Sequence, residues 1–511
     1  MTQSDNFLRN SDSLNTSNIR KYLPKNNRKV TSRFSLSLIR VYIKEYCEVS
    51  TIQGLRYIVI SKSSVERLWW ISVFMGCVMG CSYMTYLVIN RWITTPVLVT
   101  LATKETPILE IPFPAVTICP ETKISHNCLN YTKVMIAMKK KNLTNISNRE
   151  SQNYDYMAPL CELKNHAEKI KEQERKHLLD RHFSYTSRSL GDYAEFLSRC
   201  KALDLNLNAY CQWMGNDVEC AKILTPLLTD EGLCYSFNMF DVRDIYSDIN
   251  QMKYFREGWR NPDWHPDEGY KKGKIEKTYP RRTFLNGAKN SLIVAFFTNK
   301  SEIYYSCRDF SLQGIRVSLH APTKIPRPSQ VFFSVGLNRL TTVSVTPTLM
   351  RTTPAIQMYD PTKRNCYFSR ERKLKYYKLY NQDNCNMECW TNYTIQHCGC
   401  THFYMPRDQH TKICNMSRND CLNEASISYP HAIFEEHVKK NIGTSYCNCF
   451  PLCTELKYDA EIATGEWHFY NSDEVALDGM RDWFSNFELL VVYFNIGNYI
   501  CCLLNSKEEN N

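Results

Sequence analysis

Cysteine gives the densest chemical signal in this chain. Nine cysteines lie between Asn384 and Tyr458, in a segment that begins NCNMECWTNYTIQHCGCTHFYMPR and ends CNCFPLCTELKY. Cysteines at this density form disulfides if the segment lies outside the cytosol, or else bind a metal. A zinc site would take one histidine and three cysteines: His397, Cys398, Cys400 and Cys447. The regularly separated Cys-x2-4-Cys pairs typical of structural zinc are missing, so disulfides are favoured.

One apolar segment helps to decide whether these cysteines lie outside the cytosol. From Leu68 to Asn90 the chain runs LWWISVFMGCVMGCSYMTYLVIN, 23 residues without a charged side chain. As a helix this segment would be about 34 Å long, enough to cross the roughly 30 Å hydrocarbon core of a bilayer. Tryptophans near its two ends suit the membrane interface: Trp69, Trp70 and Trp92. The segment is predicted to span a membrane.

Charge asymmetry predicts the orientation of this helix. Residues 1–67 hold 12 Lys or Arg against 5 Asp or Glu, and the positive-inside rule therefore places them in the cytosol. The apolar run also begins too far along the chain for a cleaved signal peptide. We therefore expect a cytosolic region over residues 1–67, a transmembrane helix over residues 68–90 and a Cys-rich extracellular domain over residues 91–494.

The expected extracellular domain holds 18 of the 23 cysteines, an even number, and six Asn-x-Ser/Thr triplets. In an oxidising compartment this count allows nine disulfides, but one sequence leaves their pairing open. The predicted disulfide cysteines are Cys119, Cys128, Cys161, Cys200, Cys211, Cys220, Cys234, Cys307, Cys366, Cys385, Cys389, Cys398, Cys400, Cys414, Cys421, Cys447, Cys449 and Cys453. The candidate glycosylation sites are Asn130, Asn142, Asn145, Asn299, Asn392 and Asn415.

Charge and motif content argue against two other classes of protein. The net charge of +11 is modest for 511 residues. The basic runs Lys139–Lys141 and Lys271–Lys272 lack the aromatic interleaving or helix-turn-helix pattern of a nucleic-acid site. The sequence also has no His-Glu-x-x-His, Gly-x-Ser-x-Gly or Walker-type motif. We expect no enzyme, no nucleic-acid partner, and no metal or cofactor.

Local patterns predict mixed secondary structure in the large domain. Three segments rich in β-branched and aromatic residues are predicted strands: Ser291–Phe297, Val331–Thr346 (ended by Pro347) and Phe487–Phe494. Cys161–Asp180 carries good helix formers and a thin apolar stripe, typical of a surface helix. Residues 256–282, rich in Trp, Pro, Gly and charge, are predicted to form a long irregular loop.

Five motifs, in order along the chain, resemble the signatures of one family. They are Phe113–Pro120 (FPAVTICP), Gly232–Asn238 (GLCYSFN), Tyr279–Arg282 (YPRR), Arg364–Phe368 (RNCYF) and Cys447–Cys453 (CNCFPLC). Together they resemble the degenerin/epithelial sodium channel superfamily of amiloride-sensitive channels, and within it the insect pickpocket group. In the first motif the matching signature residues are Phe113, Pro114, Thr117, Cys119 and Pro120.

The resemblance implies an α+β membrane protein in which an N-terminal transmembrane helix is followed by a large disulfide-rich extracellular domain. That domain would consist of a palm β-sheet with thumb, finger, knuckle and β-ball elaborations. The resemblance further implies a homo- or heterotrimer of related subunits in the plasma membrane. This trimer would conduct sodium, be blocked by amiloride and be gated by an extracellular stimulus or ligand. Cysteines from Cys366 to Cys453 would brace the thumb, with Leu374–Asn381 helical.

The chain departs from the family at a cytosolic position just before the membrane helix. Where the family carries a His-Gly dipeptide tied to gating, this chain reads Gln53-Gly54. Glycine can still supply an unusual backbone geometry there, but glutamine supplies no imidazole. The gating motif is therefore expected to be partial.

A second departure follows the predicted strand Phe487–Phe494. In the family a second membrane helix with a Gly-x-Ser selectivity filter comes next, whereas here residues 495–511 read NIGNYICCLLNSKEENN, and no filter sequence is present in this chain. Leu489–Ser506 is uncharged, but Asn495, Asn498 and Asn505 interrupt it. We expect an atypical tail in place of the second helix.

Two hypotheses of function follow from this tail. The first is a subunit of an amiloride-sensitive, stimulus-gated sodium or cation channel whose sequence here is incomplete at the C-terminus. The alternative is a single-pass type II glycoprotein that acts as a non-conducting modulatory subunit or as an extracellular ligand-binding receptor. Since one helix per subunit builds no recognisable constriction, the 511-residue chain is expected to pass no current alone.

Overall fold

The computed structural model of the chain divides into two compact units, Met1–Thr94 and Thr95–Asn511. An N-terminal apolar helix precedes a unit of mixed helices and sheets that contains the disulfides, so the predicted α+β class is confirmed. The structure describes residues 35–51, 54–61, 63–94, 97–101, 106–139, 146–161, 189–250, 261–273, 277–298, 302–303, 307, 312–414, 418–439, 447–466, 487–494 and 501–506.

The described residues form both helices and strands. The helices are α1 Ser35–Val49, α2 Leu55–Ile60, α3 Ser64–Thr94, α4 Tyr131–Lys139, α5 Asn148–Cys161, α6 Leu190–Arg199, α7 Cys220–Ile223, α8 Val242–Ile245, α9 Pro361–Arg364, α10 Gln382–Cys398 and α11 Asn419–Lys439. The strands are β1 Val97–Leu101, β2 Ala115–Pro120, β3 Ala209–Trp213, β4 Asn216–Asp217, β5 Leu224–Thr229, β6 Gly232–Phe237, β7 Trp264–His265, β8 Gly269–Tyr270, β9 Leu292–Phe297, β10 Ile315–His320, β11 Phe333–Val335, β12 Arg339–Thr352, β13 Cys400–Thr401, β14 Lys412–Ile413, β15 Glu455–Glu466, β16 Phe487–Phe494 and β17 Cys501–Ser506.

Helix α3 contains the predicted membrane span. It is 31 residues long and is the one helix, among the residues the structure describes, that is long and apolar enough to cross a membrane. Glu66 lies in its first turn and Arg91 in its last, which complements the helix dipole. No side chain of α3 is buried within its own unit. A helix that is apolar all round needs lipid or other membrane helices as neighbours.

The larger sheet of the second unit has eight strands in the order β1-β17-β12-β16-β9-β3-β4, with β15 also paired to β12. The predicted strands at Ser291–Phe297 and Phe487–Phe494 are present as β9 and β16. β17 runs antiparallel to β1, with Ser506 opposite Val97. Residues 501–506 therefore extend this sheet beyond the expected domain boundary at residue 494.

The prediction that Pro347 ends its strand is wrong. β12 continues to Thr352, and Pro347 pairs opposite Tyr458 of β15. On the other edge of β12, pairing with β16 stops at Val345 and pairing with β17 starts at Leu349. A proline lacks the N–H group that a strand interior needs. Because Pro347 falls in the gap between these two partners, the strand tolerates it.

A second sheet of five strands has the order β11-β10-β2-β6-β5. Every residue of β6 is buried, so this strand is covered on both faces. Beside the sheet the Phe113 ring meets the rings of Trp213 and Phe237 edge to face, with centroids 4.9 Å and 6.0 Å away. Such pairs add to the stabilisation from buried apolar area. The FPAVTICP motif thus lies in the hydrophobic core.

The described residues from Cys366 to Cys453, which include helices α10 and α11, form a disulfide-braced element that we call the thumb. The prediction that Leu374–Asn381 is helical is wrong, because α10 begins at Gln382. The backbone N–H groups of Lys375 and Tyr376 donate to the Glu388 carboxylate at 3.0 Å and 2.9 Å. These contacts hold the preceding segment against α10 in a non-helical conformation.

Two further predictions concern less regular parts of the chain. Of the predicted helix Cys161–Asp180, only Cys161 is described, as the last residue of α5; the rest lies outside the described residues. Within the predicted loop over residues 256–282, the described part contains the two-residue strands β7 and β8, which pair with each other. The loop is therefore less irregular than expected.

Candidate functional site

Three of the five motifs meet at one hydrogen-bonded junction in the second unit. The Phe113 N–H donates to the Arg281 carbonyl at 3.0 Å. The Asn238 side-chain amide donates to the carbonyls of Phe113 and Arg281 at 2.6 Å and 3.0 Å, and its Oδ1 accepts the Arg281 N–H at 2.5 Å. Asn238 has a φ of 60°, a left-handed conformation that asparagine tolerates. One side chain thus joins the segments that carry the three motifs.

The remaining signature residues, in β2 and directly before it, are also inside the protein. Pro114, Thr117 and Cys119 are buried, and Pro120 is half-buried at the end of the strand. The Thr117 hydroxyl lies 3.0 Å from Ser236 Oγ and 2.8 Å from His320 Nε2. Burial lowers the pKa of His320 to about 3, so its ring is neutral at physiological pH. The motif residues therefore connect strands and do not form an exposed binding surface.

A buried network of four charged side chains lies directly beyond β2. Lys123 Nζ and Glu231 Oε2 are 2.9 Å apart, with side chains 2% and 0% exposed. Arg316 Nη1 lies 3.3 Å from Glu231 Oε1, and its Nε contacts the Glu121 carboxylate. Two cations thus balance two carboxylates. Buried charges need such pairing because their desolvation is costly.

Gly314 lies directly before β10 and beside this network. Its φ is +104°, and a Cβ built there would lie 2.1 Å from the Val335 carbonyl oxygen. Its own carbonyl accepts the Glu121 N–H at 2.9 Å. Only glycine allows this close approach of the two chain segments.

The structure places all eighteen predicted disulfide cysteines in nine pairs. Four lie outside the thumb: Cys119–Cys234, Cys128–Cys200, Cys161–Cys307 and Cys211–Cys220. Five brace the thumb: Cys366–Cys453, Cys385–Cys449, Cys389–Cys447, Cys398–Cys421 and Cys400–Cys414. The three cysteines of the alternative zinc set are therefore each occupied in a disulfide. Bridges of this kind act as rigid struts.

The candidate glycosylation sites differ in their surroundings. Asn130 is half-buried, and its side chain bonds to His126 at 2.9 Å and accepts the Lys133 N–H at 2.9 Å. Asn392 is exposed on α10. Asn142, Asn145, Asn299 and Asn415 lie outside the described residues. Of the two described sites, Asn392 is the more accessible to a glycan.

Replacing Asn392 by glutamine is expected to remove one N-glycan from protein made in eukaryotic cells. The physical reason is that the exposed Asn392 side chain leaves room for a bulky modification. Gel migration before and after glycosidase treatment measures the change. Asn386→Gln is the matched control, since Asn386 is also exposed on α10 but begins no sequon. Equal migration of Asn392→Gln and wild-type protein would contradict the assignment.

In the first unit the partial gating motif lies between α1 and α2. Gln53 is outside the described residues, so its predicted role stays a prediction. Gly54 precedes α2 with a φ of +101°, and a Cβ there would lie 3.5 Å from Phe74 Cδ2, an ordinary contact. The Tyr57 and Trp70 rings stack with centroids 4.6 Å apart. Backbone conformation, not lack of space, therefore requires glycine at position 54.

Gly54→Ala is expected to destabilise the turn before α2 by about 1–3 kcal/mol, because residues with a side chain rarely adopt this φ. Faster hydrogen exchange of the amides in Leu55–Ile60 would report the loss. Gly80→Ala in α3 is the control, since a Cβ there meets nothing within 4 Å and the glycine has no positive φ. Unchanged exchange in Gly54→Ala would show that the position tolerates a side chain.

Comparison with known proteins decides the family. A sequence model of the family described as amiloride-sensitive sodium channel matches residues 46–502. The chain belongs to this family. It is 26% identical to pickpocket protein 28 of Drosophila melanogaster over 443 residues, 85% of this chain and 66% of that protein. It is 23% identical to pickpocket protein 11 over 415 residues (81% and 59%), and 21% identical to sodium channel protein Nach over 423 (82% and 72%), both from the same species.

The family assignment confirms the predicted resemblance to the pickpocket group. The family is one of ion channels and not of enzymes, as the sequence predicted. The chain spans less than two thirds of the length of pickpocket proteins 28 and 11.

The sequence reasoning did not find the buried ion network. A signal was present, because Glu231 directly precedes the Gly232–Asn238 motif and Glu121 directly follows Phe113–Pro120. Charged residues next to a motif that lies in the core are candidates for burial as pairs. Arg316 belongs to no motif that the sequence singled out.

Proposed function

We propose that the chain is a subunit of a cation channel that carries sodium across the plasma membrane, assembled as a homo- or heterotrimer with related subunits. The observation that carries this proposal is the family match over residues 46–502, which includes both the apolar helix α3 and the disulfide-rich second unit. Gating by an extracellular stimulus or ligand, and block by amiloride, belong to the same proposal.

The chemistry of the chain supports the proposed topology. Nine disulfides in the second unit suit an oxidising compartment, which favours an extracellular location. The excess of 12 Lys or Arg over 5 Asp or Glu in residues 1–67 favours the cytosol for the N-terminal region. β1 begins three residues after α3 ends, so the sheet edge formed by β1 and β17 is close in sequence to the membrane helix.

A chimera tests whether residues 1–506 support conduction. Ser506 ends β17, so a join after residue 506 keeps the whole sheet. The added segment is the second membrane helix of a related subunit. Under voltage clamp we expect a sodium current that amiloride reduces and that disappears when a large organic cation replaces sodium. Gln53→His in the chimera is expected to change open probability. A chimera that reaches the surface and passes no sodium current would refute the channel proposal.

Co-purification tests the proposed assembly. An affinity-tagged chain is expected to retain a co-expressed full-length related subunit in detergent. If the chain associates with that subunit and alters its current without conducting in the chimera, the non-conducting modulatory alternative is correct. If it never associates, the assembly proposal fails.

A further inference from the structure

A cavity of about 540 Å³ lies in the second unit, between the segment joining β10 to β11 and the thumb helices α10 and α11. Its volume falls in the range of small-molecule sites. Most of its ring-bearing lining residues come from the thumb side: Tyr377, Trp390, His402, Tyr404 and Tyr429. Aromatic walls of this kind suit a ligand with a flat or apolar body.

The charged side chains that line the cavity have a cationic excess. They are Lys324, Arg327 and Asp383. Lys324 pairs with Asp383 at 2.6 Å, and the Arg327 guanidinium lies 4.5 Å above the Trp390 ring. Asp230 lies 3.5 Å from Arg327 Nε but is almost fully buried and does not line the cavity.

The two histidines of the lining add no positive charge. Burial lowers the pKa of His320 to about 3 and that of His402 to about 4. The positive groups that a ligand in the cavity can reach are therefore Lys324 and Arg327, which outnumber the one carboxylate of the lining, that of Asp383.

Buried hydrogen-bond donors in the lining lack an acceptor. Among the described residues of the lining, Asn384 Nδ2 and Tyr377 Oη make no hydrogen bond. Asn384 is 1% exposed and Tyr377 is 3% exposed. Buried polar groups normally have a hydrogen-bond partner. Buried donors without one therefore need an acceptor from water or from a ligand. A carboxylate supplies two acceptor oxygens and a negative charge.

We propose that this cavity binds a small organic carboxylate with an aromatic or apolar body. The carboxylate contacts Lys324 and Arg327, and the body packs on Trp390 and Tyr404. Arg327 favours a carboxylate because its planar group donates two parallel hydrogen bonds. The ligand would contact both the β10–β11 segment and the thumb. Binding does not depend on the proposed channel function.

Three probes of similar shape and different charge test the proposal on the purified full chain. They are phenylacetate, phenylacetamide and phenethylamine, which are anionic, neutral and cationic. Phenylacetate is expected to raise the midpoint of thermal unfolding in a saturable manner, since a ligand that binds the folded state stabilises it. The other two probes are expected to leave the midpoint unchanged. Equal effects of the acid and the amide, or no saturable effect up to about 10 mM phenylacetate, would overturn the proposal.

Two variants that change the charge of the cavity in opposite directions make the test more specific. Lys324→Gln should weaken phenylacetate binding by about fivefold, while Asp383→Asn should strengthen it, because each changes the cavity charge in the opposite direction. Lys378→Gln is the control: Lys378 is 43% exposed and paired with Asp248 at 3.6 Å, as Lys324 is paired, but it does not line the cavity. Unchanged affinity in both Lys324→Gln and Asp383→Asn would place the probe elsewhere.

Discussion

Replacing Glu231 by glutamine is expected to lower the free energy of unfolding of the second unit by about 3–5 kcal/mol. Glu231 is fully buried and neutralises two cations, Lys123 at 2.9 Å and Arg316 at 3.3 Å. Glutamine has nearly the same shape but no charge. The variant would leave two buried cations with one carboxylate, that of Glu121, and an uncompensated buried charge is strongly destabilising.

Denaturant unfolding of the purified, disulfide-intact protein measures the effect, and cell-surface delivery gives a second readout. Glu219→Gln is the matched control, because Glu219 pairs with Lys222 at 2.7 Å while both side chains are largely exposed. That variant is expected to unfold like wild type, since exposed ion pairs contribute little. Removing both charges in Lys123→Met with Glu231→Gln should recover much of the loss. Equal stability of Glu231→Gln and wild type would show that the network is dispensable.

Local sequence patterns were sufficient for the elements whose cause is local. The uncharged run Leu68–Asn90 lies within α3, and the β-branched runs at Ser291–Phe297 and Phe487–Phe494 form β9 and β16. In each case apolar content and side-chain shape along a few residues favour one conformation. The even cysteine count pointed to nine disulfides, but their pairing depends on which segments meet in three dimensions.

Local sequence patterns did not predict the elements whose conformation depends on contacts between distant residues. Leu374–Asn381 resembles a helix, yet the Tyr377 backbone bridges to Tyr246 and the Lys378 N–H donates to the Ile245 carbonyl at 2.8 Å. Pro347 signals a strand end, and only the gap between β16 and β17 explains why β12 continues. Tertiary contacts here outweigh local preference.

The motif junction and the ion network show the same limit at the candidate site. Asn238 bonds to a carbonyl 125 positions away, at Phe113, and Arg316 reaches back to Glu121, 195 positions away. A sequence gives the types of such residues but not their partners. Charged residues such as Glu231 are mostly exposed in folded proteins, so a sequence reading alone treats them as surface.

Acidification from pH 7 to pH 5 is expected to lower the free energy of unfolding by about 3–4 kcal/mol through two buried histidines. Burial lowers the pKa of His320 to about 3 and that of His402 to about 4, below the ordinary value of 6.5. The unfolded chain therefore takes up protons near pH 6.5 while the folded protein does not. Stability from these groups is present above pH 6.5 and is lost as the pH falls below it.

Other buried or paired groups also change the dependence of unfolding free energy on pH, each in a known direction. Burial raises the pKa of the Asp230 carboxyl, so the folded protein takes up this proton earlier and partly offsets the loss. Hydrogen bonds hold the pKa of Glu150 and Asp408 at about 2, and their contributions are lost mainly below pH 4, outside this range. Burial also lowers the pKa of His265, so this ring adds to the loss of stability in the same direction as His320 and His402.

Denaturant midpoints at pH 7, 6 and 5 test this expectation. His402→Gln and His320→Gln should each remove a large part of the loss of stability between pH 7 and pH 5, because each removes one group that protonates only in the unfolded chain. His410→Gln is the control, since His410 is exposed. His402 lies directly after β13, beside Trp390 of the thumb, whereas His320 ends β10 in the five-stranded sheet. If only His402→Gln changes the dependence of unfolding free energy on pH, the acid sensitivity belongs to the thumb. If neither variant changes it, neither ring is the group that resists protonation.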